Sequence, residues 1–159
     1  PDGIDLELHT AEVLPYWVDL ATVLKEMTAE AGINIEIKMT PADSFWGEVW
    51  MKKPFSSVYW GARPTPSALS VMYMSDADWN DTHWHRPEWD ELMKEASQTV
   101  DEEQRKALYQ EAQRMIVEEG GNLIPFFVNS VIGTTANVAG YTPPPRVTVY
   151  DFSTIELKA

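Results

Sequence analysis

The sequence contains no cysteine, which excludes disulfides, thiolate-ligated metals and thiol nucleophiles. Positive charge is also scarce: 12 Lys and Arg face 25 Asp and Glu, for a net charge of −13. Nucleic acids and anionic membranes both reward clustered cations, so neither is expected as a partner. There is no run of about 18 apolar residues, the length a membrane-spanning helix needs, and direct membrane insertion is not expected. Internal repeats and low-complexity segments are absent. So are the motifs of common chemistries, including a G-x-S-x-G elbow, a phosphate-cradling glycine loop and H-E-x-x-H. Carboxylate pairs such as Glu102-Glu103 and Glu118-Glu119 fall on helix faces expected to be wet, so nothing selects a catalytic pair. The expectation is a protein without enzymatic activity, resident metal or other cofactor.

At 159 residues, with 44% apolar side chains and charge spread along it, the chain is long enough for one domain with a sizeable core. Seven tryptophans are more than such a core holds easily, so several are expected to line a surface. In residues 4–9, Ile4, Leu6 and Leu8 alternate with Asp5, Glu7 and His9, a strand with one wet face on which His9 is expected to be exposed. An alternation that begins so early predicts a piece of a longer chain. Trp17, Leu20, Leu24, Met27 and Ala31 recur at helical steps, with Pro15 tolerable in the first turn and Gly32 placed for a left-handed cap. Residues 33–39 alternate again, which predicts a parallel β-α-β unit. A helix follows over residues 41–53, with Phe45 and Val49 on its apolar side and Trp46 and Trp50 beside them. A third strand is predicted over 56–60.

Residues 64–87 form a long polar connection with a short helix over 67–74; connections of this length inside a compact domain are usually functional. A helix over 87–97 turns Trp89, Leu92, Met93 and Ala96 inward. Asp101 caps the next, with Gln104 three residues on, and Gly120-Gly121 ends it; Leu108, Ala112, Met115 and Ile116 make its buried stripe. Residues 123–128 read as an apolar strand that Pro125 places at an edge. Pro143-Pro144-Pro145 is a stiff spacer and residues 146–152 a final extended piece.

The most informative stretch is Val58-Tyr59-Trp60-Gly61-Ala62-Arg63-Pro64-Thr65-Pro66. A strand end at a glycine, followed by a guanidinium between prolines, presents an aromatic face and a fixed positive charge where a ligand can approach the backbone. Arginine's planar fork of donors suits carboxylate or phosphate. Two metal-like patterns are incomplete. Asp76-Ala77-Asp78-Trp79-Asn80-Asp81 begins like a calcium loop, but Asp81 stands where the turn glycine belongs and Pro87 where the bidentate Glu belongs. His83-Trp84-His85 places two imidazoles on one side of an extended segment, short of the three or four ligands zinc takes.

In order, these pieces resemble the second lobe of the family 5 extracellular solute-binding proteins, the peptide, nickel and opine receptors of bacterial ABC importers. The resemblance rests on Ala31-Gly32-Ile33, Trp60-Gly61-Ala62 with Pro64 and Pro66, Asn80, and Pro87-Glu88-Trp89-Asp90-Glu91-Leu92. It continues through Asp101-Glu102-Glu103-Gln104-Arg105-Lys106-Ala107-Leu108-Tyr109, Ile124-Pro125-Phe126-Phe127 and Val138-Ala139-Gly140-Tyr141, and spans nearly the whole chain. It implies an α/β fold: one lobe of a periplasmic-binding-protein type II-like fold, with a mixed sheet flanked by helices. Residues 1–159 would then be a single lobe, a C-terminal fragment of a longer two-lobed receptor. The implied function is to capture a small peptide-like or opine-like solute by hinge closure against the missing first lobe, without chemistry. Delivery is to ABC permease subunits from a periplasmic or extracellular position, lipid-anchored in some full-length receptors. A lone lobe is expected to bind only feebly.

In that family the segment after the Trp-Gly pair faces the cleft between lobes, and peptide-binding members hold an aspartate there for the ligand's α-ammonium. That place falls on Arg63 here. A guanidinium repels an ammonium and attracts a carboxylate, and a charge-assisted contact is worth about 1.5–3 kcal/mol, enough to choose among ligand classes. The expected ligand-binding set is Trp60, Gly61, Arg63 and Thr65, with Trp46 and Tyr73. Two rivals come from other classes. One is a metal-dependent hydrolase using His83, His85 and the nearby Asp81, Glu88 and Asp90, which stoichiometric zinc would reveal. The other is a carbohydrate-binding module built on the tryptophans, which predicts sugar-dependent fluorescence quenching.

Overall fold

A computed structural model describes residues 3–129, 131–142 and 152–158. The spacer expected at Pro143-Pro144-Pro145, and all but the last residue of the piece expected over 146–152, lie outside the described residues. The chain divides into two compact units, Pro1–Tyr59 with Trp79–Thr82, and Trp60–Asp78 with His83–Ala159.

The first unit opens with β1 (Ile4–Thr10), α1 (Trp17–Ala29) and β2 (Ile33–Met39). The strands pair in parallel, with Leu6 opposite Ile35 and Leu8 opposite Ile37, so the two apolar alternations share one face. Leu8 and Ile35 are buried there with Ala21 of α1, and Leu24 packs alongside. The opposite face is polar: the Asn34 amide donates to Asp5 at 2.9 Å, and the Lys38 ammonium lies 3.3 Å from Glu7. Gly32, at φ +77, turns the chain from helix to strand while its N–H donates to the Ala29 carbonyl at 3.0 Å; this left-handed step is what glycine permits cheaply.

Three expectations for this unit need correction. His9 is not exposed: its side chain is only 13% accessible, because its backbone bridges to the chain at Ser56. The strand expected over 56–60 reduces to that bridge, made by His9 N–H to the Phe55 carbonyl and Ser57 N–H to the His9 carbonyl. Beyond it the Tyr59 ring turns to Trp17 and Trp46, at 6.2 and 6.0 Å, and aromatic packing replaces the ladder. The helix expected over 41–53 shrinks to α2 (Phe45–Glu48) between turns. Gly47 weakens its interior, and Met51 at φ +63 leaves the helical region. Phe45 and Val49 are nonetheless buried with Ala11 and Trp17, because one helical turn suffices to put positions four apart on one face.

The second unit contains α3 (Thr65–Tyr73), α4 (Pro87–Gln98), α5 (Glu102–Glu119), β3 (Val138–Ala139) and β4 (Glu156–Leu157). Its core gathers Leu69, Tyr73, Trp89, Met93, Ala112 and Ile116. Trp89 is fully buried, and its indole N–H donates to the Ala112 carbonyl at 2.9 Å, satisfying the one polar atom of the ring. Leu108 and Met115, expected in the buried stripe of α5, are half-buried, as is Leu92 of α4. Asp101 caps α5 as its spacing requires, accepting from the Gln104 N–H at 2.8 Å. At the other end Gly120 keeps φ −72, so the left-handed cap is absent; a Cβ there would stand 2.5 Å from the Ile116 carbonyl oxygen, and close approach is what demands glycine.

Strands β3 and β4 pair antiparallel, separate from the parallel pair of the first unit. The strand expected over 123–128 does not form: Pro125 offers no N–H, and no partner strand stands beside it among the described residues. No helix among them is long and apolar enough to cross a membrane.

Candidate functional site

Pro64 and Pro66 explain the local geometry around Arg63. Pro64 occupies the position before α3 with φ −57 and ψ 142, and Pro66 falls within its first turn, where a missing N–H costs nothing and a fixed φ favours the helix. The result is a helix N-terminus immediately after Arg63. No side chain caps it, and its first turn holds no acidic residue, so its partial positive charge is not offset locally. The Arg63 guanidinium lies 5.6 Å from the centroid of the Trp60 ring, a cation–π contact worth about 0.5–1 kcal/mol at an exposed site.

Arg63, Gly61 and Thr65 are exposed and Trp60 is half-buried. Among the described residues, the arginine ion pairs are Arg86 with Glu119 and Arg114 with Glu111 and Glu118; Arg63 enters none. Among the described residues, a Cβ built on Gly61 would meet nothing within 4 Å, so no packing there explains this glycine. Trp60, Gly61, Arg63 and Thr65 thus fall in one short segment with a guanidinium beside an indole, leading into a helix N-terminus. Its chemistry suits an anion with an apolar portion.

The other two expected residues lie elsewhere. Trp46 belongs to the first unit and is 37% exposed. It stands edge-on to Trp50 at 5.7 Å and Tyr59 at 6.0 Å. Tyr73 is a core residue, 3% exposed, four positions after Leu69 on the inward face of α3. Its ring meets Trp84 and Trp89 edge-on, and its hydroxyl accepts from the Asn122 amide at 2.6 Å. It has no face to offer a ligand. Sequence reasoning missed the helix N-terminus beside Arg63, although Pro64-Thr65-Pro66 is the signal for one. It also missed Tyr59, about half exposed, whose ring extends the Trp46–Trp50 aromatic chain as that of Trp79 does.

The metal-like patterns are occupied by structural bonds. Asp81 accepts from the Trp50 indole N–H at 3.1 Å, and Asn80 is buried and accepts from the Thr82 hydroxyl at 2.9 Å. Asp90 accepts from the Ser75 N–H at 3.0 Å, while His83, at φ +51, turns the segment that was expected to run straight. Among the described residues, no three His, Asp or Glu side chains gather where a metal ion could be held. The charged pairs that shift proton affinity lie on exposed faces. Hydrogen bonding to Arg114 lowers the pKa of Glu111, and Glu36 and Glu91 raise those of Lys38 and Lys94.

No family model matches the chain, and no curated protein matches its sequence. Solved structures do match. The clavulanic acid biosynthesis oligopeptide binding protein 2 superposes with a TM-score of 0.84 over 100% of this chain and 31% of its own, at 18% identity. The oligopeptide-binding protein AppA of Bacillus subtilis, solved with a nonapeptide, gives 0.77 over 98% of this chain and 32% of its own, at 19% identity. NikZ of Campylobacter jejuni, solved with Ni(L-His), gives 0.63 over 74% of this chain and 25% of its own, at 22% identity. The chain thus spans a quarter to a third of the length of these structures. The likeness establishes the fold as α/β, a partial sheet flanked by helices, matching a lobe of solute-binding proteins of the periplasmic-binding-protein kind.

Proposed function

We propose that the chain is the second lobe of a two-lobed, family 5-type solute-binding component of an ABC importer. It captures a small peptide-like or opine-like solute through a carboxylate and performs no chemistry on it. The solute is held by closure against the first lobe and passed to permease subunits, at a periplasmic or extracellular position with or without a lipid anchor. The observation that carries this reading is the positively charged segment: Arg63 over Trp60, followed directly by the uncapped N-terminus of α3. Two positive sources and an indole face favour a ligand with a carboxylate beside an apolar group. The nonapeptide and L-histidine in the matched structures each carry a carboxylate. Gly61 leaves the backbone open to close approach, and Thr65 adds a hydroxyl donor. Tyr73 is left to the core.

The test is calorimetric titration of the full-length receptor with a panel of opines and short peptides, before and after Arg63→Ala. The substitution weakens carboxylate-bearing ligands by about tenfold or more, the lower end of a charge-assisted contact. Unchanged affinity rejects the role of Arg63.

A further inference from the structure

Acidic side chains are missing from the sequence around Arg63. The nearest are Glu48 and Asp76, and residues 49–75 between them hold Lys52, Lys53 and Arg63 but no Asp or Glu, in a chain that has 25 of them. The described arginines reflect this. Arg86 is paired to Glu119 at 2.8 Å and Arg114 to Glu111 at 2.6 Å. The Arg105 guanidinium donates to the Thr99 and Val100 carbonyls at 3.1 and 3.0 Å. Oxygen holds each of these three, and for Arg86 and Arg114 the partner matches the charge as well. Arg63 meets the ring of Trp60 instead, 5.6 Å from its centroid.

An indole in place of a carboxylate has a chemical consequence. A π face attracts a cation through its quadrupole and carries no net charge, so it steadies the guanidinium without neutralising it. The local sequence favours the contact. Only Gly61 and Ala62 separate the two residues, so nothing larger than a methyl group stands between them along the chain. Pro64 follows directly, and its ring restricts the Arg63 backbone to extended conformations. Trp60 is half-buried and Arg63 exposed, so the indole is the anchored partner and the guanidinium the movable one. An arginine gives up much rotamer freedom when it grips a ligand. One that already rests on a ring has less to lose, which is preorganisation.

We infer that Trp60 is a positioning residue for Arg63: its ring holds the guanidinium charged and in place for a ligand carboxylate. This role rests on the solute-binding reading above and is separable from that of an apolar wall. A wall strengthens a carboxylate-bearing solute and its primary amide alike, whereas a positioned guanidinium favours the carboxylate alone.

Two measurements on the full-length receptor test this role. In the ligand-free receptor with isotope-labelled arginine, the Arg63 side-chain signal is the one lost in Arg63→Lys. It is expected upfield of ordinary arginine signals, shifted by the ring current of Trp60, and at the ordinary position in Trp60→Leu. An unshifted Arg63 signal in the parent overturns the role, whatever the receptor binds. Calorimetry then uses the tightest-binding member of the opine and peptide panel and its primary amide. Trp60→Leu is expected to lower the preference for the carboxylate about two- to fivefold, and Trp60→Phe to lower it less. In the Arg63→Ala background, Trp60→Leu is expected to leave the preference unchanged. Equal weakening of both solutes by Trp60→Leu, beside an Arg63→Ala variant that loses the preference, overturns the positioning role alone. A shifted Arg63 signal in a receptor that binds none of the panel removes the transport reading and leaves the indole–guanidinium contact standing.

Discussion

Helices α4 and α5 hide Trp89, Met93, Ala96, Ala112 and Ile116 to 7% exposure or less, whereas Leu123, Phe127 and Val131, soon after in the same unit, stay 71, 88 and 90% exposed. The two regions do not differ in having apolar residues. They differ in how those residues are spaced and in what each spacing requires. A helical stripe closes against the next helix in the chain, so α4 and α5 need only a short turn to bury each other. The consecutive apolar residues of 123–128, interrupted by Pro125, form no helix or strand, and no strand pairs with them among the described residues. Hydrophobicity therefore does not by itself bury a segment, while periodicity says whether its covering is local.

That contrast can be broken experimentally. The largest expected effect is Trp89→Ala, which empties the centre of the α4–α5 core and removes the indole donor to the Ala112 carbonyl; urea unfolding should show a loss of about 3–5 kcal/mol. A loss below about 1 kcal/mol would mean that this core is not the self-sufficient half. Next comes Asp101→Ala, which removes the acceptor for the Gln104 N–H and should cost about 1 kcal/mol in the same assay. Phe127→Ser lies on the bare side, and in the 159-residue chain it should change stability by no more than about 0.5 kcal/mol. A cost comparable to that of Trp89→Ala would erase the difference between the regions.

The smallest effect concerns the charged face of α5. Arg114 lowers the pKa of Glu111, so this contact favours the folded state above the ordinary carboxylate pKa and fades as pH falls through the lowered one. Thermal unfolding of Glu111→Gln against the parent protein should therefore show a slight deficit at pH 7 that closes in acid. A deficit that grew on acidification would contradict the sign.

Much of the fold was legible because it is local. The alternations of β1 and β2, the stripe carrying Trp89 and Met93, and the Asp101 cap each follow from residues within a few positions of one another. Where the outcome depended on distant partners, sequence pattern misled. Phe45 and Val49 announced a helix that Gly47 and Met51 cut to one turn. His9 was read from its alternation, but its burial comes from the chain at Ser56. Tyr73 was counted in the expected ligand-binding set, but its place four residues after Leu69 put it in the core. At the candidate site, the guanidinium and indole were visible as neighbours in sequence. The helix N-terminus beside them emerges only once Pro64 and Pro66 are seen to start α3.

The account stands on Arg63 as a carboxylate receptor, and one double-mutant cycle addresses it most directly. Full-length receptor and its Arg63→Ala variant are titrated with a bound carboxylate-bearing solute and with the primary amide of that solute. The account predicts that the parent prefers the carboxylate by about tenfold or more and that the variant loses this preference. Equal preference in parent and variant would contradict it.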